Sequence, residues 1–294
     1  MLTSEIIDRF AAAMSAAGLS CSAAIEADGQ IHRFHVEGDK AGTKNGWYFL
    51  HLAGRPAGQF GSWKAGHHET WIADGKPMDR SEQAEFAELV QAARRKAKAE
   101  QRAKHEAQAV IARQIWMAAG PADPEHPYLK KKRVLPHGLR QQGEYLLVPL
   151  FDQFGLLWNF QRIAPDGGKR FHPGRAGGLH SLIGDFCGPQ KILICEGWAT
   201  GATLHEETEI PVLCAMNAGN LLRVGEAARA SWPASLVIFC ADDDRHTDGN
   251  PGVTAARAAA QAVGARVIIP QFPDGAPGSD FNDLAAFRRG VSNE

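Results

Sequence analysis

The chain has 294 residues, of which 44% are hydrophobic and 22% are charged, and its formal net charge is −1. This composition is that of a globular protein with one large domain or two ordinary ones. It excludes a disordered tail protein, a collagen-like chain and a small disulfide scaffold. No apolar run reaches about 18 residues, and the N-terminal segment lacks a basic stretch before an apolar core. We therefore expect a cytoplasmic protein with no membrane contact.

The cysteines are five in number and form no close pair in the sequence. Three of them lie inside apolar runs, which is typical of buried free thiols in a reducing compartment. The first 120 residues contain no Cys-x-x-Cys or Cys-x-x-His pair. We therefore expect no zinc site.

The N-terminal region begins with a helix that has Ile6, Phe10 and Met14 on one face. Four short alternating segments follow, and they predict a small β-rich module over residues 1–78. Residues 79–120 are rich in Ala, Glu and Lys and have no Gly or Pro before Gly120, so they predict a helical linker.

A Pro-rich break at residues 120–127 precedes a basic region. Two strand-like segments joined at residues 153–155 predict a hairpin, and a Gly-, Lys- and Arg-rich segment follows. Residues 121–180 carry 9 Lys and Arg against 5 Asp and Glu, whereas residues 181–294 carry 8 against 14. This pattern suits a basic α+β subdomain over residues 121–187 that holds a polyanion beside a region that holds metal ions.

From residue 188 to residue 294, continuous apolar strands alternate with helices. This alternation predicts an α/β domain with a parallel sheet flanked by helices. In such a sheet, functional residues collect at the carboxyl ends of the strands.

Carboxylates stand at those strand ends. Glu196 follows the first strand, the run Asp242–Asp244 follows the third, and Asp274, Asp280 and Asp283 lie in the loop after the fourth. Like charges so close need a compensating cation, and oxygen ligands favour Mg²⁺ or Mn²⁺. The alternative is that each Asp only caps the next helix.

The Glu-Gly pair at residues 196–197, the Asp-x-Asp at residues 242–244 and the trailing segment GSDFNDL together resemble the Toprim domain of primases, topoisomerases and some nucleases. The resemblance implies that Glu196, Asp242 and Asp244 are the catalytic, metal-binding acids. Asp280 is the best match to a further metal-site acid. It also implies Mg²⁺ or Mn²⁺ as the cofactor.

The resemblance extends upstream to DnaG-type bacterial primases, in the segments VPLFDQFG, GGKRF and GLHSLIG. It implies that Arg162, Lys169 and Arg170 bind nucleotide and template. The whole chain resembles compact primase-like proteins of plasmids, phages and integrative elements, which share its GDKxGxxNGWY and FGxW motifs. The zinc ribbon of DnaG-type primases is absent.

Contacts to single strands must then come from elsewhere. Aromatic and basic side chains of two regions are candidates, although the aromatics could equally form the core of the small module. The candidates are Trp47, Trp63, Lys64, Lys130, Lys131, Lys132 and Arg133.

These features predict a DNA primase that makes short primers from nucleoside triphosphates on single-stranded DNA by two-metal nucleotidyl transfer. Its partners would be the template, the triphosphates and a replicative helicase. One alternative is a Toprim nuclease that uses the same metals with water as nucleophile. The other is a non-catalytic module of a mobile element that only binds single strands.

Overall fold

The computed structural model describes residues 2–273 and 275–290, so Asp274 lies outside the described residues. The chain divides into two compact units, Met1–Ala103 and Lys104–Glu294. Each unit has its own hydrophobic clusters.

The N-terminal unit contains a four-stranded antiparallel sheet whose strands follow one another in chain order. Helix α1 (Thr3–Ala16) packs Phe10 and Met14 against Tyr48 and Phe60 on one face of this sheet. The elements confirm the predicted helix and strand segments. The strands are β1 (Ile31–Phe34), β2 (Gly46–His51), β3 (Ala57–Ser62) and β4 (His67–Ile72).

Helix α2 (Arg80–Ala118) is one continuous helix of 39 residues. In the N-terminal unit, its residues Phe86 and Val90 pack with Phe49 on the sheet face opposite α1. In the second unit, Ala112 packs with Leu147 and Phe160. The segment predicted as a linker over residues 79–120 is therefore part of both cores, and the boundary between the units falls inside it.

The second unit begins with an antiparallel sheet of five strands, again in chain order. Helix α3 (Pro127–Lys132) lies between its first two strands in sequence. The predicted hairpin is formed by the third and fourth strands. The strands are β5 (Gly120–Pro121), β6 (Arg140–Gln142), β7 (Tyr145–Phe151), β8 (Leu157–Ile163) and β9 (Lys169–Phe171).

A second sheet follows with strand order β10-β12-β11-β13-β14. The four predicted strands are parallel, which confirms the α/β class. Strand β10 pairs antiparallel with β12, so residues assigned by sequence to the preceding subdomain extend this sheet. The strands are β10 (Ser181–Ile183), β11 (Lys191–Cys195), β12 (Val212–Cys214), β13 (Leu236–Cys240) and β14 (Arg266–Ile268).

Helices cover both faces of this sheet, because each face has its own cluster of buried apolar residues. No described helix has both the length and the apolar character needed to cross a membrane. The helices are α4 (Trp198–Thr208), α5 (Leu221–Ser231), α6 (Pro251–Val263) and α7 (Phe281–Arg288).

His180 makes the stability of this unit depend on pH. Its side chain is buried, its Nδ1 has no partner among the described residues, and burial lowers its pKa to about 4. The unfolded chain therefore binds one more proton than the folded chain between pH 6.5 and pH 4. We expect the free energy of unfolding to fall by about 3 kcal/mol as the pH is lowered from 6.5 to 4. Urea denaturation at several pH values measures it.

The variant His180→Gln should flatten this pH dependence, because it removes the group that titrates. The matched control is His246→Gln, since His246 is exposed on a loop. Equal slopes in the wild-type protein and in His180→Gln would contradict the prediction.

Candidate functional site

Three predicted acids meet at one edge of the parallel sheet. Strands β11 and β13 are neighbours with Cys195 opposite Cys240, so Glu196 and Asp242 leave the sheet side by side. A Cβ atom placed on Gly252 would lie 3.1 Å from Glu196 Oε1 and 3.0 Å from Asp244 Oδ2. The carboxylates of Glu196 and Asp244 therefore converge on the space above this glycine.

Two of the acids have a buried oxygen that no neighbouring group among the described residues contacts by a hydrogen bond. Glu196 Oε1 and Asp242 Oδ1 are buried and have no hydrogen-bond partner in the described part of the chain. Burial, with the nearby Asp244 charge, raises the pKa of Glu196 to about 7. Burial raises the pKa of Asp242 to about 8, with further contributions from Glu196, Asp280, Asp244 and Asp283. Repelling carboxyl groups of this kind are stabilised by a bound cation.

The donor set fits a hard divalent cation such as Mg²⁺ or Mn²⁺, because every candidate ligand is a carboxylate oxygen. The three acids do not each bring an oxygen within 4.8 Å of the others. Among the described residues, that spacing is met by Glu26, Asp28 and His32 of the N-terminal unit. In that group His32 Nε2 lies 2.9 Å from Asp28 Oδ1, so the members already satisfy one another.

Asp280 caps helix α7. Its Oδ1 accepts a hydrogen bond from the backbone N–H of Asp283 at 2.8 Å, and its Oδ2 accepts one from Thr200 Oγ1 at 3.1 Å. Asp280 therefore caps the following helix, which was the alternative to metal binding for these acids. Asp280 still lies close enough to raise the pKa of Asp242. Its role as a metal ligand stays a prediction.

Asp243 stabilises the turn that follows strand β13. Its Oδ1 accepts a hydrogen bond from Asn250 Nδ2 at 2.7 Å, and its Oδ2 lies 3.1 Å from Arg245 NH1. Gly252 N–H donates to Asp244 Oδ2 at 3.1 Å. The turn is therefore fixed by Asp243, which leaves the outer acids of the run to face the site.

Two lysines lie at this acidic edge. Lys132 Nζ is 3.7 Å from Asp283 Oδ1, and the backbone oxygen of Lys132 accepts a hydrogen bond from Asn282 Nδ2 at 2.7 Å. Lys169 Nζ lies 5.6 Å from the centre of the Tyr128 ring. Burial and the Lys132 charge lower the pKa of Lys169, while Asp280 and Asp242 act in the opposite direction. The Lys169 charge therefore stands beside Asp242 and Asp280, and its binding of a nucleotide stays a prediction.

Arg162 and Arg170 occupy a different place in the same unit. They are opposite each other on β8 and β9 and line a cavity of about 580 Å³ together with His172 and Tyr145. Arg162 Nε and His172 Nε2 are buried without a partner among the described residues. None of the predicted acids that the structure describes lines this cavity. The predicted cations are thus divided between the acidic edge and this basic cavity.

The other predicted basic contacts have mixed surroundings. Lys130 pairs with Glu125 at 2.6 Å, and Arg133 adopts a left-handed conformation as the C-cap of α3. Lys131 is exposed. In the N-terminal unit, Lys64 Nζ lies 2.6 Å from Asp39 Oδ1. Because Lys130 and Lys64 are each paired with a carboxylate, their positive charge is partly neutralised and attracts a phosphate less strongly.

The burial of Trp47 contradicts the prediction that this side chain contacts single strands. It is only 2% exposed, because α2 covers its face of the sheet, so it cannot itself stack on a base. Trp63 is 51% exposed and lies on Trp47 with 5.3 Å between ring centres. The core alternative therefore holds for Trp47 and not for Trp63.

Sequence reasoning missed two residues at the acidic edge. Gly252 has a signal in the sequence, since it follows the acidic turn at the start of a helix. Tyr128 is buried and its hydroxyl has no partner among the described residues, and its ring contacts Lys169. No sequence pattern connects Tyr128 with the acids, which lie more than 60 residues away.

The second unit is similar in sequence to a known protein family. Residues 191–290 match the family model described as Toprim domain. Two proteins of Escherichia coli named DNA primase TraC are 37% and 34% identical to the chain, over 284 and 288 residues. These matches cover 91% and 90% of the chain but 27% and 19% of the relatives. The chain thus spans about a quarter or less of these relatives.

Among solved structures, the primase fragment of the bacteriophage T7 primase-helicase protein is 18% identical, with a TM-score of 0.39. That match covers 55% of the chain and 65% of the fragment. The Aquifex aeolicus primase, with its zinc-binding and RNA polymerase domains, is 12% identical, with a TM-score of 0.40. It covers 97% of the chain and 83% of that structure.

Proposed function

We propose that this chain, which carries a Toprim domain and is homologous to part of DNA primase TraC, is the catalytic region of a DNA primase. It would join nucleoside triphosphates into short primers on single-stranded DNA. The observation that carries the proposal is the edge where Glu196 and Asp242 present unpartnered oxygens and where the Lys169 ammonium interacts with Asp242. Acids and cations together suit a reaction between a triphosphate and a metal-bound centre.

In this proposal, Glu196, Asp242 and Asp244 hold Mg²⁺ or Mn²⁺. When bound, the metal would stabilise negative charge on the reacting phosphate. Asp280, at the N-terminus of α7, would be a further ligand of the metal. Lys169 would neutralise the triphosphate, and the Tyr128 ring would keep its ammonium near the acids.

Arg162 and Arg170 would bind the phosphates of the template. They line a cavity that includes none of Glu196, Asp242, Asp244 and Asp280, so we place template binding away from the reacting centre. Phosphate contacts of this kind fix the position of a strand without reading its sequence. We also propose a cytoplasmic location for the chain.

The test is incorporation of labelled nucleoside triphosphates on defined single strands, with Mg²⁺ or with Mn²⁺. We expect short products that need template, triphosphate and divalent metal. Cleavage of the labelled strand by metal without triphosphate would favour the nuclease. Salt-dependent binding with no metal requirement and no product would favour the non-catalytic module.

A further inference from the structure

The N-terminal unit presents one aromatic ring to solvent. Trp63 directly follows β3 and is 51% exposed, and no other Phe, Tyr or Trp side chain among the described residues of this unit is as exposed. Its ring lies on Trp47 at 5.3 Å with an angle of 30° between the planes. One face of Trp63 is therefore supported by another ring, and the ring has open surface for a ligand.

Trp47, beneath Trp63, is itself held in place. The Arg94 guanidinium lies 4.9 Å from the centre of the Trp47 ring, and the His68 ring lies 6.3 Å away. Trp47 is 2% exposed, so its position is fixed by packing. The Trp63 ring is thus presented on a rigid base, which lowers the entropy lost when a ligand stacks on it.

Arg94 supplies positive charge beside the rings. Its NH2 donates a hydrogen bond to Gln59 Oε1 at 3.1 Å, while its Nε is buried without a partner in the described chain. No carboxylate of the described residues forms an ion pair with it. Arg94, His68, Gln59 and Thr70 also line a cavity of about 310 Å³. This cavity offers hydrogen-bonding groups next to the stacked rings.

We propose that this surface, formed by Trp63, Trp47, Arg94 and His68, binds single-stranded nucleic acid. A base would stack on the exposed Trp63 ring, and Arg94 would neutralise a neighbouring phosphate. Exposed aromatic rings with unpaired cations beside them are how proteins hold single strands without reading their sequence. A protein partner would instead need a broad apolar patch, and here the exposed Trp63 ring lies among polar groups.

The inference deepens the proposed function, since it assigns template capture to the N-terminal unit and depends on that function only for the strand's identity. The first 120 residues contain no Cys-x-x-Cys or Cys-x-x-His pair, so a zinc ribbon does not take this role there. Lys64 is left out, because it is paired with Asp39.

The test measures binding of a short fluorescent oligothymidylate to the full chain by anisotropy, with chelator and without triphosphate. Trp63→Ala should weaken binding by about tenfold, the value typical of one stacked base. Trp63→Phe should keep most of the affinity. The matched control is Phe154→Ala, which removes an exposed aromatic ring of the second unit (84% exposed) and should leave the affinity within twofold.

A second strand of equal length with abasic sites separates stacking from a structural effect. On that strand, the wild-type chain and Trp63→Ala should bind equally. Equal binding of both chains to the normal strand would overturn the proposal, and so would an equal loss in Phe154→Ala. Because the assay contains neither metal nor triphosphate, a chain that makes no primers can still show the Trp63 effect, and a working primase can lack it.

Discussion

The double variant Asp242→Asn with Asp244→Asn should reduce primer synthesis by at least about a thousandfold. Both substitutions keep side-chain size and remove the negative charge that a divalent cation needs. The turn should persist, because Asp243 holds it through Asn250 and Arg245. Nucleotide incorporation with saturating Mg²⁺ measures the loss.

The same variant should be at least as stable as the wild-type chain when metal is absent. In the wild-type chain, burial and the nearby acids, Asp244 among them, raise the pKa of Asp242, so neutral amides remove an unfavourable buried charge and its repulsion. Thermal unfolding with and without Mg²⁺ should show a metal-induced stabilisation only in the wild-type chain. Asp248→Asn is the matched control, since this acid is exposed in the same turn. Primer synthesis unchanged in the double variant would refute the assignment of the acids.

Gly252→Ala should reduce primer synthesis by about a hundredfold or more, although no charge is altered. The new Cβ would meet the Asp242 backbone oxygen closely and would approach Asp244 Oδ2 and Glu196 Oε1 at about 3 Å. Backbone cannot yield as a flexible side chain does, so the acids must move apart. Incorporation assays over a range of Mg²⁺ concentrations should show a higher metal requirement.

Gly120→Ala provides the control for adding a methyl group to a glycine. A Cβ at Gly120 would meet nothing within 4 Å, so its activity should equal that of the wild-type chain. If Gly252→Ala kept full activity at low Mg²⁺ concentration, the space above Gly252 would have no part in metal binding.

The parallel sheet could be predicted because its strands are continuous apolar runs between helical segments. From that sheet it followed that Glu196 and Asp242 would meet, since they leave neighbouring strands. Strand β10 could not be predicted, because three residues carry no periodic signal and only pairing with β12 makes them a strand.

Other features depend on tertiary packing. The sequence of β2 places Trp47 on one face, but helices cover both faces of this sheet, so alternation could not tell a buried ring from an exposed one. Similarly, the spacing of acids did not reveal that Asp280 caps α7 while Asp242 stays unpartnered. Lys169 and Arg162 lie on opposite faces of the antiparallel sheet, because Arg162 is paired with Arg170 and the side chains of successive residues such as Lys169 and Arg170 alternate between the two faces.

The burial of helix α2 varies along its length. Its ends pack into hydrophobic clusters, whereas residues 95–107 contain no buried side chain. The backbone of this middle segment therefore lacks the apolar packing that stabilises both ends of the helix. Its amide protons should therefore exchange with solvent faster than those at either end, and one proteolytic cut there would yield two fragments with their apolar interiors whole.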